Sequence, residues 1–271
     1  MNESIDLIRL LKRKIAKIER SKRLGDAKHV GIGHVGIGHV AIDSALGGGL
    51  GRGQVHEVFA SEVGDAGSAA GFAAALGRRL EGATVWLREE SSERQGGSLY
   101  GAGLLEIGID PAQLILAVLP DPLAVLRAAA DVVRCPEVSV AVIELWRQPR
   151  LFDLTASRRL ALAAEESGVT AILLRIAAEP VPSAAQTRWR IAAAASAPLE
   201  ANAPGHPTWE VELLRQRGRP AGNIWRVEWD RDRAMFRDDA AGKAPLSGAV
   251  VSFPADRSGD ARHVIPLRRA G

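Results

Sequence analysis

Between the apolar run Val55–Phe59 and the Ala-rich stretch Ala69–Leu80, the chain reads Gly64, Asp65, Ala66, Gly67, Ser68. A Gly-rich turn from a buried strand into a helix is the layout of a phosphate-binding loop, in which backbone N–H groups cradle an anion. A working loop also needs a lysine for the β/γ-phosphates and a hydroxyl for Mg²⁺ at the turn. Here the turn has no lysine, and Asp65 sets a negative charge where phosphate would lie. Like charges about 4 Å apart repel by about 4 kcal/mol at an effective dielectric near 20. The missing lysine counts as heavily, because positioning and charge neutralisation are nearly the whole of phosphoryl transfer. Gly64, Asp65, Gly67 and Ser68 therefore read as a degenerate nucleotide site, with no nucleotide cofactor and no ATP hydrolysis expected.

Two further carboxylates stand close to apolar strands. Glu90, with Glu89 beside it, follows the strand beginning at Thr84, and Glu144 lies near the end of the apolar "VSVAVIEL". Without a phosphate cradle they have nothing to act on. The plainer expectation pairs Glu144 with Arg147 or Arg150 and leaves Glu90 in solvent. Surfaces must then carry the function. Arg188, Trp189 and Arg190, within residues 178–207, place cations beside an aromatic ring, as single-stranded DNA binding favours; the alternative is a Trp189 packed in the core. The stretch "WEVELLRQRGRPAGNIWRVEWD" alternates residue by residue around a Gly/Pro turn and predicts a β-hairpin. Its Trp209, Trp225 and Trp229 suit a core face, whereas Arg215, Arg217 and Arg219 offer an exposed basic cluster to DNA phosphates or an acidic partner.

Metal and disulfide chemistry find little support. His29, His34 and His39 recur every five residues in "HVGIGHVGIGHV", a spacing that shares no helix face and alternates sides on a strand. A Gly-rich flexible linker is expected there, with no metal site. Cys135 stands alone, which excludes an internal disulfide, and is expected to pack as a small hydrophobe.

The elements that position these residues follow from periodicity. Ile5, Ile8, Leu11, Ile15 and Ile18 form one apolar stripe on a helix over residues 3–24, where eight Lys/Arg face three acids. Ile8, Leu11, Ile15 and Ile18 are its candidate protein contacts, on its own domain, a neighbouring protomer or another protein; no membrane contact is expected. From residue 41, apolar strands (Val55–Phe59, Thr84–Leu87, Leu114–Val118, Val138–Leu145, Val169–Ile176) alternate with helices (Ala69–Leu80, Pro122–Val133, Leu154–Glu166). That rhythm predicts an α/β fold with a mostly parallel sheet covered on both faces, the hairpin adding an antiparallel edge. The expected organisation is a helix and linker over 1–40, a core over 41–235, and a mostly irregular tail over 236–271 with a short strand at Ala249–Phe253.

The 271-residue chain is 46% hydrophobic but only 4% aromatic, so aliphatic side chains must build much of its core. A net charge of +3 permits nucleic-acid binding without demanding it. No apolar run reaches a membrane span, and the charged N-terminus lacks a signal-peptide core, so a cytoplasmic location is expected.

In order, these signatures resemble the RecA-type ATPase core. "IDSALGGGLGRGQVHEVFA" is similar to its opening, "TVWLREE" to the strand before a catalytic glutamate, and "VSVAVIELW" to the Walker B strand, with Glu144 for the usual Asp. "GVTAILLRIAAEP" is similar to the following strand and places Arg175 near a γ-phosphate sensor; 178–207 is where a second DNA-binding loop would lie. More narrowly, "GLGRGQVHEVFA", "VIELW", "SRRLALAAEESGVTAILLR", "TRWRI" and the Trp-rich hairpin together resemble the ImuA family of the bacterial damage-inducible mutagenesis cassette, over residues 41–230. The resemblance implies a role in SOS-induced translesion synthesis, and together with the degenerate loop it leads to the expectation of a non-catalytic scaffold. Its implied partners are an ImuB-type inactive polymerase homologue and an error-prone C-family DNA polymerase. RecA, single-stranded DNA and self-assembly through residues 3–24 are further candidates. Two rival readings are an active ATPase using Lys12 or Lys22 from another protomer, and a modulator of RecA or of cell division.

Overall fold

The computed structural model describes residues 33–239; the stripe Ile8, Leu11, Ile15 and Ile18, and the strand expected at Ala249–Phe253, lie outside the described residues. The chain opens with β1 (His34–Val35), α1 (Val40–Leu46) and β2 (Leu50–Gly51), then β3 (Val55–Ala60) and α2 (Ala66–Leu80). It continues through β4 (Thr84–Glu89), α3 (Glu90–Gly96), α4 (Gly101–Ile107), β5 (Leu114–Leu119) and α5 (Pro122–Val132). β6 (Val140–Trp146), α6 (Leu154–Ser167), β7 (Thr170–Ile176) and β8 (Thr187–Ala193) follow, then β9 (Thr208–Gln216), β10 (Ile224–Asp230) and β11 (Met235–Asp238).

β3, β4, β6 and β7 are buried along their whole length. Successive side chains of a strand point to opposite faces, so a strand buried throughout must be covered on both. α2 covers one face, packing Phe72, Ala73 and Leu76 on Val58, Trp86, Val142 and Leu174. α5 and α6 cover the other, with Val125, Ala129 and Leu160 on Leu87, Ile143 and Leu173. The nine-stranded sheet runs β11-β10-β9-β8-β3-β7-β6-β4-β5, parallel from β8 to β5 and antiparallel from β8 to β11. The few aromatic residues concentrate under the antiparallel half. Phe72 lies 5.1 Å from Phe236 and 6.0 Å from Trp209, and Trp229 lies 5.0 Å from Phe236.

Several sequence expectations need correction. Residues 33–39 are no flexible linker: β1 pairs with β2, and Gly38, at φ +99°, brings its Cα so close to Met235 that a Cβ would fall 2.5 Å from the methionine Cβ. His39 caps α1 through a bond from Ile42 N–H to Nδ1 (3.3 Å), and its Nε2 meets Asp238 at 2.9 Å. With β11 continuing the sheet past residue 235 and Phe236 fully buried, the packed body reaches beyond 41–235 at both ends. Cys135 is exposed, not packed in the core.

His56, fully buried in β3, sits in a directed hydrogen-bond chain. Trp189 Nε1 donates to Thr187 Oγ1 (2.7 Å), the Thr187 hydroxyl donates to His56 Nδ1 (2.7 Å), and His56 Nε2–H donates to Gly51 O (2.9 Å). Protonating Nδ1 would break this chain in a buried site. Burial above all, against the Gly51 bond, pushes the His56 pKa down to about 4 from 6.5. The unfolded chain therefore binds a proton that the folded chain refuses between those values. The part of the stability that His56 governs should be full above pH 6.5, fall by about 3 kcal/mol as pH drops towards 4, and level off below. Denaturant midpoints across that window should show a slope that His56→Gln abolishes.

Candidate functional site

The loop leading from β3 into α2 is built from its own hydrogen bonds. Val63–Asp65 close a 3₁₀ turn in which Asp65 N–H donates to Glu62 O (3.3 Å) and Ala66 N–H to Val63 O. An anion nest alternates right- and left-handed residues so that successive N–H groups converge. No residue of 61–67 has positive φ, so that geometry is missing. Asp65 does not meet a phosphate; its Oδ1 accepts from Ala193 N–H (3.0 Å) and ties the loop to the end of β8. Gly64 and Gly67 are exposed, and a Cβ on either would meet nothing within 4 Å. Gly64→Ala and Gly67→Ala, ruinous in a working cradle, should therefore leave folding intact. Gly67→Ala should stabilise α2 by up to about 1 kcal/mol, read as an unchanged or raised melting midpoint.

Glu144 lies on the same sheet face, 3% exposed, and is taken up by structure. It accepts from Trp146 Nε1 at 2.6 Å, Trp86 Nε1 at 3.0 Å and Arg88 Nη2 at 3.2 Å. Its expected partners Arg147 and Arg150 play no part: Arg147 turns at φ 59° and its N–H donates to Ile176 O. Arg88, which sequence reading passed over inside "TVWLREE", is the buried partner, and its Nε and Nη1 have no hydrogen-bond acceptor. These groups border a cavity of about 260 Å³ with Gly67, Gly71, Tyr100 and Leu104. Trp146 packs against Gly96, where a Cβ would fall 2.6 Å from the indole ring. Glu90 is exposed on the first turn of α3, while Glu89 accepts from Ser91 Oγ at 2.7 Å. The residues present do not fit Mg²⁺–ATP: the loop lacks lysine and nest geometry, and Glu144, the carboxylate that lines the cavity, is already taken by Trp86, Trp146 and Arg88.

Arg175 is no phosphate sensor. It points to the opposite face, fully buried, donating to Gln148 Oε1 (2.6 Å), 3.8 Å from Glu57 and 4.9 Å from the centre of the Phe152 ring. Burial pushes its pKa down, opposed by the nearby Glu57 charge. Arg188 and Trp189, expected in a DNA-binding loop, lie instead on β8 inside the sheet, 8% and 1% exposed. Arg188 Nε donates to Glu57 Oε2 (2.7 Å) and its Nη2 to Ser183 Oγ (2.8 Å), while half-buried Arg190 pairs with Glu212 at 2.5 Å. A residue sunk beside Phe72 cannot stack on a base, so this trio is not an exposed platform. Arg215, Arg217 and Arg219 are exposed as expected. They sit where β9 turns towards β10, at the end of the sheet where β3 begins and away from the loop at Asp65. Arg215 Nη1 donates to Ser183 O (3.3 Å), and the Arg219 guanidinium covers Gly47. Trp209 and Trp229 are buried and Trp225 half-buried, all towards α2. Among the described residues no group of three or more His, Cys, Asp or Glu could hold a metal, and no helix is long and apolar enough to cross a membrane.

The sheet order and flanking helices define a RecA-like α/β core. The crystal structure of the RadB recombinase superposes with a TM-score of 0.51 over 75% of this chain and 99% of that one, at 16% identity, a likeness of fold alone. No family model matches the sequence. Protein ImuA of Caulobacter vibrioides, in each of two strains, is 35% identical over 207 residues, covering 69% of this chain and 81% of the relative. The chain belongs to the ImuA family.

Proposed function

We propose that the chain is a non-catalytic RecA-like scaffold of the damage-inducible mutagenesis system, acting in SOS-induced translesion synthesis. The observation that carries this reading is the use of Asp65 and Glu144: each ties one part of the fold to another, Asp65 where a nucleotide site would hold phosphate and Glu144 where it would need a free acid. On this reading the core presents surfaces to an ImuB-type polymerase homologue and an error-prone C-family polymerase in the cytoplasm. Residues 3–24 supply a protein contact. Arg215, Arg217 and Arg219 supply a contact to single-stranded DNA.

A salt titration of labelled single-stranded DNA binding, with and without ATP–Mg²⁺, tests it. Binding should weaken steeply with salt and ignore ATP. Arg215→Ala, Arg217→Ala and Arg219→Ala combined should flatten the slope of log K against log salt by about 2, at about 0.7 per lost phosphate contact. Binding that requires ATP, or ATP turnover lost on Glu90→Gln, would overturn the scaffold.

A further inference from the structure

The sheet face covered by α5 and α6 carries a groove of about 320 Å³ between these helices. Leu123, Leu151 and Leu160 line it, with exposed Arg127, Arg134 and Arg159 at its rim. No carboxylate lines the groove, and none of the three arginines has an acidic partner among the described residues; Arg134 donates to Ala130 O at 2.6 Å. Leu123 and Leu151 stand 38% and 54% exposed, so apolar surface and three cations that form no ion pair among the described residues share one slot. The apolar surface continues onto the edge strand β5, whose Ile115 is 62% exposed on the same sheet face as α5. An apolar patch ringed by one sign of charge selects an apolar occupant of the other sign.

The segments of this chain beyond the described residues have the wrong charge. Residues 1–24 carry eight Lys/Arg against three acids, and residues 240–271 carry five against two. Either would add cations to a cationic rim. We infer that the α5–α6 groove docks an acidic amphipathic helix of a partner protein. Its aliphatic face lies on Leu123, Leu151 and Leu160, and its carboxylates meet Arg127, Arg134 and Arg159. Helix-in-groove recognition of this kind draws affinity from the buried anchors and specificity from the rim charges. The inference rests on the scaffold reading, which requires partner proteins, and names the surface that one of them uses.

The test uses the full chain and two fluorescent synthetic helices with the same leucine face, one flanked by Glu and one by Lys. Anisotropy should show the Glu helix binding, at least tenfold weaker at high salt and at least tenfold weaker to an Arg127→Glu/Arg159→Glu variant. The Lys helix should not bind. Both arginines are exposed and unpaired, so the variant should keep the wild-type melting midpoint and DNA binding. Equal affinity for the two helices, or an unchanged affinity in the variant, would overturn the groove assignment. So would a concentration-dependent dimer, detected by sedimentation, that Arg127→Glu/Arg159→Glu disrupts, since the occupant would then be a second copy. Loss of the groove result with intact ATP-independent DNA binding would leave the scaffold standing; ATP-dependent binding would remove the scaffold whatever the groove does.

Discussion

Glu57→Gln should cost the fold about 3–5 kcal/mol, the usual penalty for removing one partner of a buried ion pair. Glu57 lies on β3, directly opposite Arg188 on β8, with Arg175 on neighbouring β7; Glu57 and Arg175 are fully buried and the Arg188 side chain is 9% exposed. One carboxylate thus holds two guanidiniums across three adjacent strands. Glutamine keeps the shape and removes the charge, which leaves two buried cations facing each other with only Ser183, Gln148 and backbone carbonyls as acceptors. The drop should appear as a lower urea midpoint with an unchanged slope. Replacing all three residues by apolar side chains of similar volume should recover most of the loss, because that change removes the desolvation cost along with the attraction. An unchanged midpoint in Glu57→Gln would show that this triad does not hold β8 and β7 to β3.

Glu144→Gln separates a structural carboxylate from a catalytic one. In a working NTPase the substitution would abolish turnover and barely touch stability. Here it should lower stability by about 3 kcal/mol, since Glu144 is the shared acceptor for Trp86, Trp146 and Arg88, and Arg88 already has two unpartnered N–H groups. Two of the acceptor's three donors are indoles, so tryptophan emission should shift with the same substitution. DNA binding by the folded variant should match wild type. Stability equal to wild type, with a change in any ATP-linked activity, would return Glu144 to a catalytic role.

The parallel half was legible because its signal is local. "VSVAVIEL" and "GVTAILLRI" are near-continuous apolar runs between helix signals, and Asp121 before Pro122 marks the start of α5, where its Oδ1 accepts from Ala124 N–H at 2.8 Å. β8 was less legible. "TRWRIAA" alternates cations with apolar residues, a pattern shared by a half-exposed strand and a nucleic-acid loop, and only the carboxylates of Glu57 and Glu212 on neighbouring strands decide between them. Glu57 itself gave a usable signal, an acid in the middle of the buried strand "VHEVF", which needs a buried cation somewhere. Nothing in the spacing says that Arg175 and Arg188, 118 and 131 residues on, supply it.

The sequence by itself determined that the loop at Gly64–Ser68 lacks the lysine of a phosphate cradle, since residue type alone settles which charges are present. It also determined the alternation of strand and helix and the basic hairpin turn, which depend on neighbours within a few residues. Tertiary structure alone decided what the remaining charges do. Asp65 caps β8, Glu144 anchors two indoles and Arg88, Arg188 and Trp189 are withdrawn into the core, and Arg127, Arg134 and Arg159 converge on an apolar groove. Electrostatic pairing acts over a few ångströms in space, and residues that close can lie more than a hundred positions apart along the chain.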